Sequence, residues 1–355
     1  MRQRNIGRLG AGGLAVVLFV AANCGEGPRE VPDTRIPVAV LGDSDSHSYH
    51  DSLTFRDPAA RGGPLRAVTF QWTEIWARLR PGEVDLGPWG TWGSARRIAR
   101  IRQAIGLPAR APRKQDYQYN LAVTGSRCEH LVRGAGRQVQ PLLRMMDRDP
   151  ARWSRGLVVI RIGINSVGGT ADLDAYAAAG VTPEARAGVD ACLADIADAV
   201  RLIRVRHDAT HIALVGIADD ANWAKSLDRW QDPGALERIA AVLDLFDDGL
   251  RRLAAADRSI VFVNERAWFT TLWGGRDPAS GRPAYRAVDV GGAEPVTNTA
   301  GDHPRNMALG DGHAGTIANG LWLRELIRVT EAAWDLGLNQ VGLAELVALT
   351  GLTGG

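Results

Sequence analysis

Apolar residues along the chain fall into two kinds of pattern. Short runs rich in β-branched residues, several of them ending at Gly or Asn, predict strands. Longer stretches carry apolar residues three and four positions apart, which is the spacing of a helix with one buried face. The predicted strands are residues 38–41, 117–123, 157–162, 211–217 and 260–263. The predicted helices are residues 71–80, 129–146, 183–206, 235–255 and 314–336.

Strands that alternate with helices predict an α/β fold. Its centre is a mainly five-stranded parallel sheet, and helices cover both faces to give a three-layer sandwich. In sheets of this kind, residues that bind or react with ligands gather at the carboxyl ends of the strands. The loops that follow the predicted strands are therefore the expected places for functional residues.

A Trp-rich stretch, residues 51–116, interrupts this alternation and is interpreted as an insertion between the first two strands. Trp72 and Trp76 lie four residues apart and share one face of a predicted helix. Two interpretations are open for this pair: packing in the core, or a stacking platform for sugar rings. Residues 96–114 carry seven cations and no acid. They predict a solvated helix face, with an anion-binding surface as the alternative.

Overall composition adds little to this picture. With 355 residues, 45% of them hydrophobic, the chain is long enough for one large catalytic domain with insertions. Charged residues make up 23% and the formal net charge is +2, so neither a nucleic-acid-binding coat nor a disordered tail is indicated. We therefore predict no nucleic-acid partner.

The N-terminus has the order of a secretory signal peptide. Three arginines, Arg2, Arg4 and Arg8, precede an apolar run over residues 9–22. The run is shorter than the roughly 20 residues that span a bilayer, which favours a cleaved signal over a permanent transmembrane helix. The sequence therefore predicts an exported protein that is secreted, periplasmic or held at the cell envelope. The predicted boundaries are residues 1–24 for the signal peptide, 25–35 for a linker and 36–355 for the catalytic domain.

The three cysteines leave two questions open. Cys24 ends a segment that resembles a bacterial lipoprotein cleavage site, so membrane attachment through a lipid on Cys24 and ordinary secretion both fit. Cys128 and Cys192 would remain in the exported chain. They either pair as a disulfide or serve as small buried apolar residues.

The first predicted strand leads into Gly42-Asp43-Ser44. A serine on a turn at the carboxyl edge of a sheet presents its hydroxyl to a substrate and its amide to a developing negative charge. Ser44 is therefore the candidate nucleophile.

Two further hydrogen-bond donors follow the second and third predicted strands. The second strand is continued by Thr124-Gly125, and the Gly125 backbone can approach a ligand closely with its amide free. The third is followed by Gly163-Ile164-Asn165, whose side-chain amide can donate to the same point. Together with the Ser44 amide, Gly125 and Asn165 predict an oxyanion hole.

A candidate base lies near the C-terminus, in Asp311-Gly312-His313, directly before the last predicted helix. A histidine at this place can take the proton of Ser44, and a nearby aspartate can hold its tautomer. His303 also follows an aspartate and is the rival base.

These segments, in this order, resemble the four sequence blocks of the SGNH/GDSL hydrolases, over residues 38–327. The resemblance implies a flavodoxin-like fold, with Ser44 as nucleophile, Gly125 and Asn165 as oxyanion donors and His313 as base. In this family the catalytic histidine shortly precedes a C-terminal helix, which favours His313 over His303. Asp311 corresponds to the acid of the triad.

Other positions in the blocks either support or depart from the family pattern. Asp43 and Asn120, which belong to the first and second blocks, are expected to support the site. Asp45 stands where an apolar residue is common, and Ser166 replaces a common aspartate. Asp311 lies two residues before the histidine, where the usual separation is three.

The sequence therefore predicts an exported serine hydrolase that cleaves carboxylic esters through an acyl-enzyme, with no metal or cofactor. The expected substrate is a small-molecule or glycan ester, with a short acyl group on carbohydrate, such as acetyl, preferred. Two alternatives stay open: a metal-dependent phosphoesterase built on two Asp/His clusters, and a non-catalytic glycan-binding protein on a hydrolase fold. The clusters are Asp43, Asp45, His47 and His50 in one loop and Asp302, His303, Asp311 and His313 in another.

Overall fold

The computed structural model describes residues 33–351, except Pro58, Gly292 and Ala293. The predicted signal peptide and most of the predicted linker lie outside the described residues. From Arg35 onward, the described residues form one compact unit.

This part of the chain contains nine strands and eleven α-helices, joined by loops and four 3₁₀-helices. The strands are β1 Ile36–Gly42, β2 Val84–Asp85, β3 Trp89–Trp92, β4 Lys114–Tyr117, β5 Leu157–Arg161, β6 His211–Val215, β7 Ile260–Val263, β8 Thr297–Ala300 and β9 Asn306–Ala308. The helices are α1 Trp72–Leu79, α2 Arg96–Ala104, α3 Val139–Met146, α4 Pro150–Trp153, α5 Ile164–Val167, α6 Thr170–Ala179, α7 Pro183–Arg204, α8 Pro233–Ala255, α9 Glu265–Trp273, α10 Thr316–Trp334 and α11 Leu343–Thr350. The 3₁₀-helices are Gly63–Val68, Cys128–Leu131, Asp220–Asn222 and Ala224–Ser226.

Five parallel strands form the central sheet, in the order β2-β1-β5-β6-β7. Numbered along the chain, these strands have the order 2-1-3-4-5, which is the flavodoxin-like arrangement. Every residue of β1 and β5 is buried because helices cover both faces of the sheet. The predicted fold class is therefore confirmed.

One strand of this sheet, at the edge beside β1, is not among those that the sequence predicts. The edge is β2, two residues within the insertion, and its pairing with β1 begins at Ile36 and Val84. The predicted strand over residues 117–123 is wrong as an assignment, because β4 pairs antiparallel with β3 in a separate sheet. Residues 119–123 do hydrogen-bond along the end of β1, but only as an isolated bridge.

Apolar side chains of the sheet pack into one core on each face. Ala39 and Leu41 belong to the core under α7 and α8, whereas Val38 and Val40 point to the opposite core under α10. Alternation along a strand places successive side chains on opposite faces, so a doubly covered strand reads as a continuous apolar run.

The paired tryptophans of α1 lie inside the second of these cores. Trp72 and Trp76 are both fully buried, and the Trp72 ring lies 5.0 Å from the ring of Trp322 on α10. The sugar-stacking platform is therefore wrong for this pair, and core packing is the correct interpretation.

Helix starts follow local capping chemistry. Thr182 and Asp232 accept hydrogen bonds from the amides of Ala185 and Ala235, and each precedes a proline at the first helical position. The predicted helix over residues 129–146 is instead a 3₁₀ turn followed by α3. None of the helices in the described range is long and apolar enough to cross a membrane.

Cys128 and Cys192 form a disulfide, with their Cα atoms 5.1 Å apart. The bond joins the 3₁₀ turn that follows the Gly125 loop to the middle of α7. Of the two interpretations left open by the sequence, pairing is the correct one.

Candidate active site

Ser44 lies on a tight turn at the carboxyl end of β1. The Asp43 carbonyl accepts hydrogen bonds from the amides of Ser46 and His47, and its side chain accepts one from Asp45, which closes the turn. Burial raises the pKa of the Asp43 carboxyl well above its ordinary value. Asp43 therefore supports the turn that presents Ser44.

Gly42, directly before this turn, is held by the side chain of Gln138. Gln138 Oε1 accepts from the Gly42 amide at 2.7 Å, and Gln138 Nε2 donates to the Gly42 carbonyl at 2.7 Å. A Cβ at this position would overlap the Arg161 carbonyl of the neighbouring strand. The end of β1 therefore requires glycine and has little freedom to move.

Three of the predicted site residues line one cleft of about 240 Å³: Ser44, Asn165 and His313. Ser44 is 8% exposed, and its hydroxyl forms no hydrogen bond with another described residue. Ser44 and His313 thus share the cleft without a direct hydrogen bond between them. Catalytic contacts of this kind often tighten only when substrate binds.

His313 is paired with Asp311 in spite of the short spacing. Nδ1 of His313 lies 3.1 Å from Asp311 Oδ1, and the His313 amide donates to the same oxygen at 3.1 Å. Gly312 between them has φ +86°, a left-handed conformation that glycine adopts without strain. Because Nδ1 faces the carboxylate, Nε2 is the nitrogen available for Ser44 or a substrate.

Arg61 lies behind this pair and was not predicted. Its Nη1 donates to Asp311 Oδ2 at 2.6 Å and also contacts His313 Nδ1. The side chain is buried, with its guanidinium over the ring of Phe55. Burial opposes ionisation of Asp311, but the hydrogen bond with His313 and the charge of Arg61 hold the pKa of that carboxyl below its ordinary value.

The residue after His313 is also fixed. The Ala314 carbonyl accepts hydrogen bonds from the Tyr49 hydroxyl and from Asn319 Nδ2, each at 2.9 Å. Burial raises the pKa of Tyr49, so the hydroxyl stays protonated and able to donate. The histidine loop is therefore held both at Asp311 and at Ala314.

The two segments that carry the predicted oxyanion donors, α5 and the Gly125 loop, contact each other. Asn165 lies on α5, and its Nδ2 donates to the Ser126 carbonyl at 3.1 Å. Ser166 Oγ accepts from the Cys128 amide at 3.0 Å and joins the same two segments.

Gly125 is exposed, with φ +73°, and is not one of the residues that line the cleft. Its amide donates to no other described residue. Asn120 supports this segment, because its Nδ2 donates to the Ser46 carbonyl at 2.7 Å and its Oδ1 accepts from the Ala122 amide.

A fully buried histidine, His47, holds the residue before Gly125. Nε2 of His47 lies 2.9 Å from Asp51 Oδ2, and Nδ1 accepts from the Thr124 amide at 3.1 Å. These partners require the neutral tautomer with its proton on Nε2. Burial and the nearby Lys114 lower the pKa of His47, which keeps the ring neutral.

The floor of the cleft is charged. Arg161 forms a buried two-point ion pair with Glu265 and also donates to the Asp45 carbonyl at 2.8 Å. Burial raises the pKa of Asp220 to about 7, with the nearby Lys225 opposing that rise. The cleft therefore has a polar lining.

Trp223 is the aromatic residue of the cleft that the sequence did not single out. Its Nε1 donates to the Gly312 carbonyl at 2.7 Å, which places the indole beside the histidine loop. No motif marks it, because its role depends on a contact with a distant loop.

The Asp/His clusters of the metal alternative do not converge. His47 and His50 pair instead with the carboxylates of Asp51 and Glu74. His303 is exposed, and its Nδ1 accepts from the Arg305 amide. Across the described residues, no three His, Cys, Asp or Glu side chains form a group that could hold a metal.

No family model matches the sequence, and no curated protein matches it. Among solved structures, the chain is similar to an extracellular lipase from Streptomyces rimosus, with a TM-score of 0.43 and 17% identity over 83% of this chain and 99% of the lipase. It is also similar to a protein from Bacteroides fragilis assigned as an acylhydrolase, with a TM-score of 0.33 and 13% identity over 84% of this chain and 88% of that one. The chemistry of the site is therefore inferred from its own residues.

Proposed function

We propose that the protein is a serine hydrolase of the SGNH/GDSL type that cleaves carboxylic esters. The observation that carries this proposal is the shared cleft of Ser44, Asn165 and His313, with Asp311 on the far nitrogen of the imidazole. This is the arrangement of nucleophile, oxyanion donor, base and orienting acid that acyl transfer needs.

In the proposed mechanism, the ester carbonyl carbon lies against Ser44 Oγ. His313 Nε2 takes the serine proton as the carbon–oxygen bond forms, and the Ser44 amide and the Asn165 side chain stabilise the oxyanion from within the cleft. The free amide of Gly125, on the adjoining loop, is the third proposed donor. The protonated imidazole then donates to the leaving alcohol. Water activated by His313 releases the acid from the acyl-enzyme.

The lining of the cleft supports a polar substrate. Asp45, Asp220 and Lys225 bring charges to it, and Trp223 supplies an aromatic ring. A short acyl group on a carbohydrate suits such a lining better than a long alkyl chain, because an alkyl chain would leave these charges desolvated. We therefore propose a small glycan ester as the substrate.

Export is also part of the proposal. A disulfide between Cys128 and Cys192 persists in oxidising compartments and is rare in the cytosol. The signal-like order of residues 1–24 supports the same location. Lipid attachment at Cys24 remains a variant of this proposal.

The proposal is tested by labelling and by replacing Ser44. We expect an organophosphonate to label Ser44, and Ser44→Ala to lower ester hydrolysis by about a thousandfold or more in a folded protein, because the acyl-enzyme cannot form. Activity should survive EDTA. Full activity in Ser44→Ala, or a label on Ser46 or Ser48, would contradict the assignment.

The two histidines provide a matched control for the base. His313→Ala should abolish acylation of Ser44 in a single turnover, whereas His303→Ala should leave it close to the wild-type rate. The opposite result would move the base to the loop of Asp302 and His303.

A further inference from the structure

Helix α2 presents its apolar residues to solvent. Ile98 and Ile101 on the helix are 52% and 63% exposed, and Ile105 and Leu107 just beyond its end are 66% and 49% exposed. The three isoleucines lie three and four residues apart and therefore form a single stripe along one side of the helix. These four residues are called the α2 apolar face.

The opposite side of α2 attaches the helix to the protein through a small contact. Ala99 is the buried residue of this helix, and it packs against Ala109 and Ala111. Gln103 donates to the carbonyls of Gly134 and Ala135. A helix of a soluble domain normally buries its large apolar side chains, so α2 has the reverse orientation.

Cations surround the α2 apolar face. Arg96, Arg97, Arg100 and Arg102 are exposed. None of the four forms an ion pair with another described residue, although Arg102 donates to the Pro108 carbonyl. No acid occurs in the sequence between Asp85 and Asp116. The surface thus combines protruding aliphatic groups with uncompensated positive charge.

We propose that α2 is an interfacial helix that docks the protein on an anionic lipid bilayer. Such a bilayer buries the isoleucines below its headgroups while lipid phosphates pair with the arginines. A soluble polyanion would leave the isoleucines in water. A second copy of the chain would bring the arginines of two helices against each other. A solvated helix face, as the sequence predicts, would explain the exposed arginines but not the exposed isoleucines.

The contact is tested with a polarity-sensitive dye on the full chain. A cysteine is introduced as Ile101→Cys in a Cys24→Ser background and labelled, and Val205→Cys, at a residue that is 77% exposed elsewhere, serves as the control site. Vesicles of phosphatidylglycerol and phosphatidylcholine should shift the emission of the dye at position 101 to the blue. The dye at position 205 should not respond, and pure phosphatidylcholine should have little effect at either site.

Substitutions separate the two components of the contact. Replacing Ile98, Ile101 and Ile105 by Ser should lower the vesicle partition coefficient by about tenfold or more, while Val181→Ser with Val205→Ser should not change it. Replacing Arg97, Arg100 and Arg102 by Gln should remove the dependence on phosphatidylglycerol. The same change at Arg201, Arg251 and Arg328, exposed arginines of other helices, is the charge control.

Two results would overturn the proposal. A dye response to dextran sulfate without a response to vesicles would identify a soluble polyanion as the partner. A blue shift that grows with protein concentration in the absence of lipid would identify a second copy of the chain. Hydrolysis of a soluble ester should be unchanged in every variant, which makes it a test of folding that is independent of the lipid contact.

Discussion

The geometry of the candidate base depends on one residue that lies far from it in sequence. Arg61 holds the His313 loop through Asp311. Its backbone amide and its guanidinium both donate to Asp311 Oδ2, at 3.2 and 2.6 Å. Among the described residues, the Asp311 carboxylate hydrogen-bonds to Arg61 and His313. Arg61 therefore helps to hold the Asp311 carboxylate in position beside His313.

We predict that Arg61→Met lowers kcat by up to about a hundredfold while KM changes little, because Asp311 would no longer hold His313 in place. The rate of Ser44 acylation in a single turnover measures the effect directly. Arg56→Met removes an exposed arginine nearby and should be silent. An unchanged kcat in a folded Arg61→Met protein would show that Asp311 orients the imidazole without help.

Residues of the candidate site could be predicted to lie together where their signal is local. Ser44, Asn165 and His313 each follow a strand or precede a helix, beside glycines that mark the turn. Arg61 could not be predicted, because its contact with Asp311 spans 250 residues of sequence and no local pattern marks it. The same holds for His47, whose role depends on Thr124 in another loop.

Among helices and strands, the predictions succeeded where the sequence of a single segment shows its apolar pattern and its ends. Helices α7 and α8 have capping residues and a long apolar face, and β5 to β7 are continuous apolar runs. The edge strand β2 has two residues, too few for any periodic pattern. Residues 119–123 read as a strand because Leu121, Ala122 and Val123 are apolar, and all three are buried. Only one of these five residues, Asn120, forms a β-bridge to β1.

The disulfide joins α7, which carries Cys192, to the 3₁₀ turn that carries Cys128. The Cys128 amide donates to Ser166, the residue after Asn165. We predict that Cys128→Ser lowers the free energy of unfolding by up to about 4 kcal/mol, since the bond closes a loop of 64 residues in the unfolded chain. Urea unfolding with and without reductant measures the difference, and reductant should have no further effect on the variant. Equal stability of the oxidised and reduced wild-type protein would contradict this prediction.

For the molecule as a whole, Asp220 links stability to pH. Burial raises its pKa to about 7 in the folded state, whereas the unfolded chain has the ordinary value near 3.8. Between these values the folded protein binds more protons than the unfolded one. Stability from this group is therefore present below about pH 4 and is lost as the pH rises to about 7.

We therefore predict that Asp220→Asn raises the melting temperature relative to wild type more at pH 8 than at pH 5. The gain should level off above pH 7, because Asp220 is then ionised in the wild-type protein. Asp228→Asn, at an exposed position in the same region, should show no such trend. Parallel melting curves for wild type and Asp220→Asn across this range would refute the link.

The order of the site residues along the chain also has a consequence for biosynthesis. Ser44 lies on the turn after the first strand, while His313 comes shortly before α10, close to the end of the described chain. A chain that emerges from the ribosome or a translocation channel with its N-terminus first exposes the serine early and its base last. Under the proposed mechanism, nascent protein carries the nucleophile without its base and stays inert toward esters until synthesis is nearly complete.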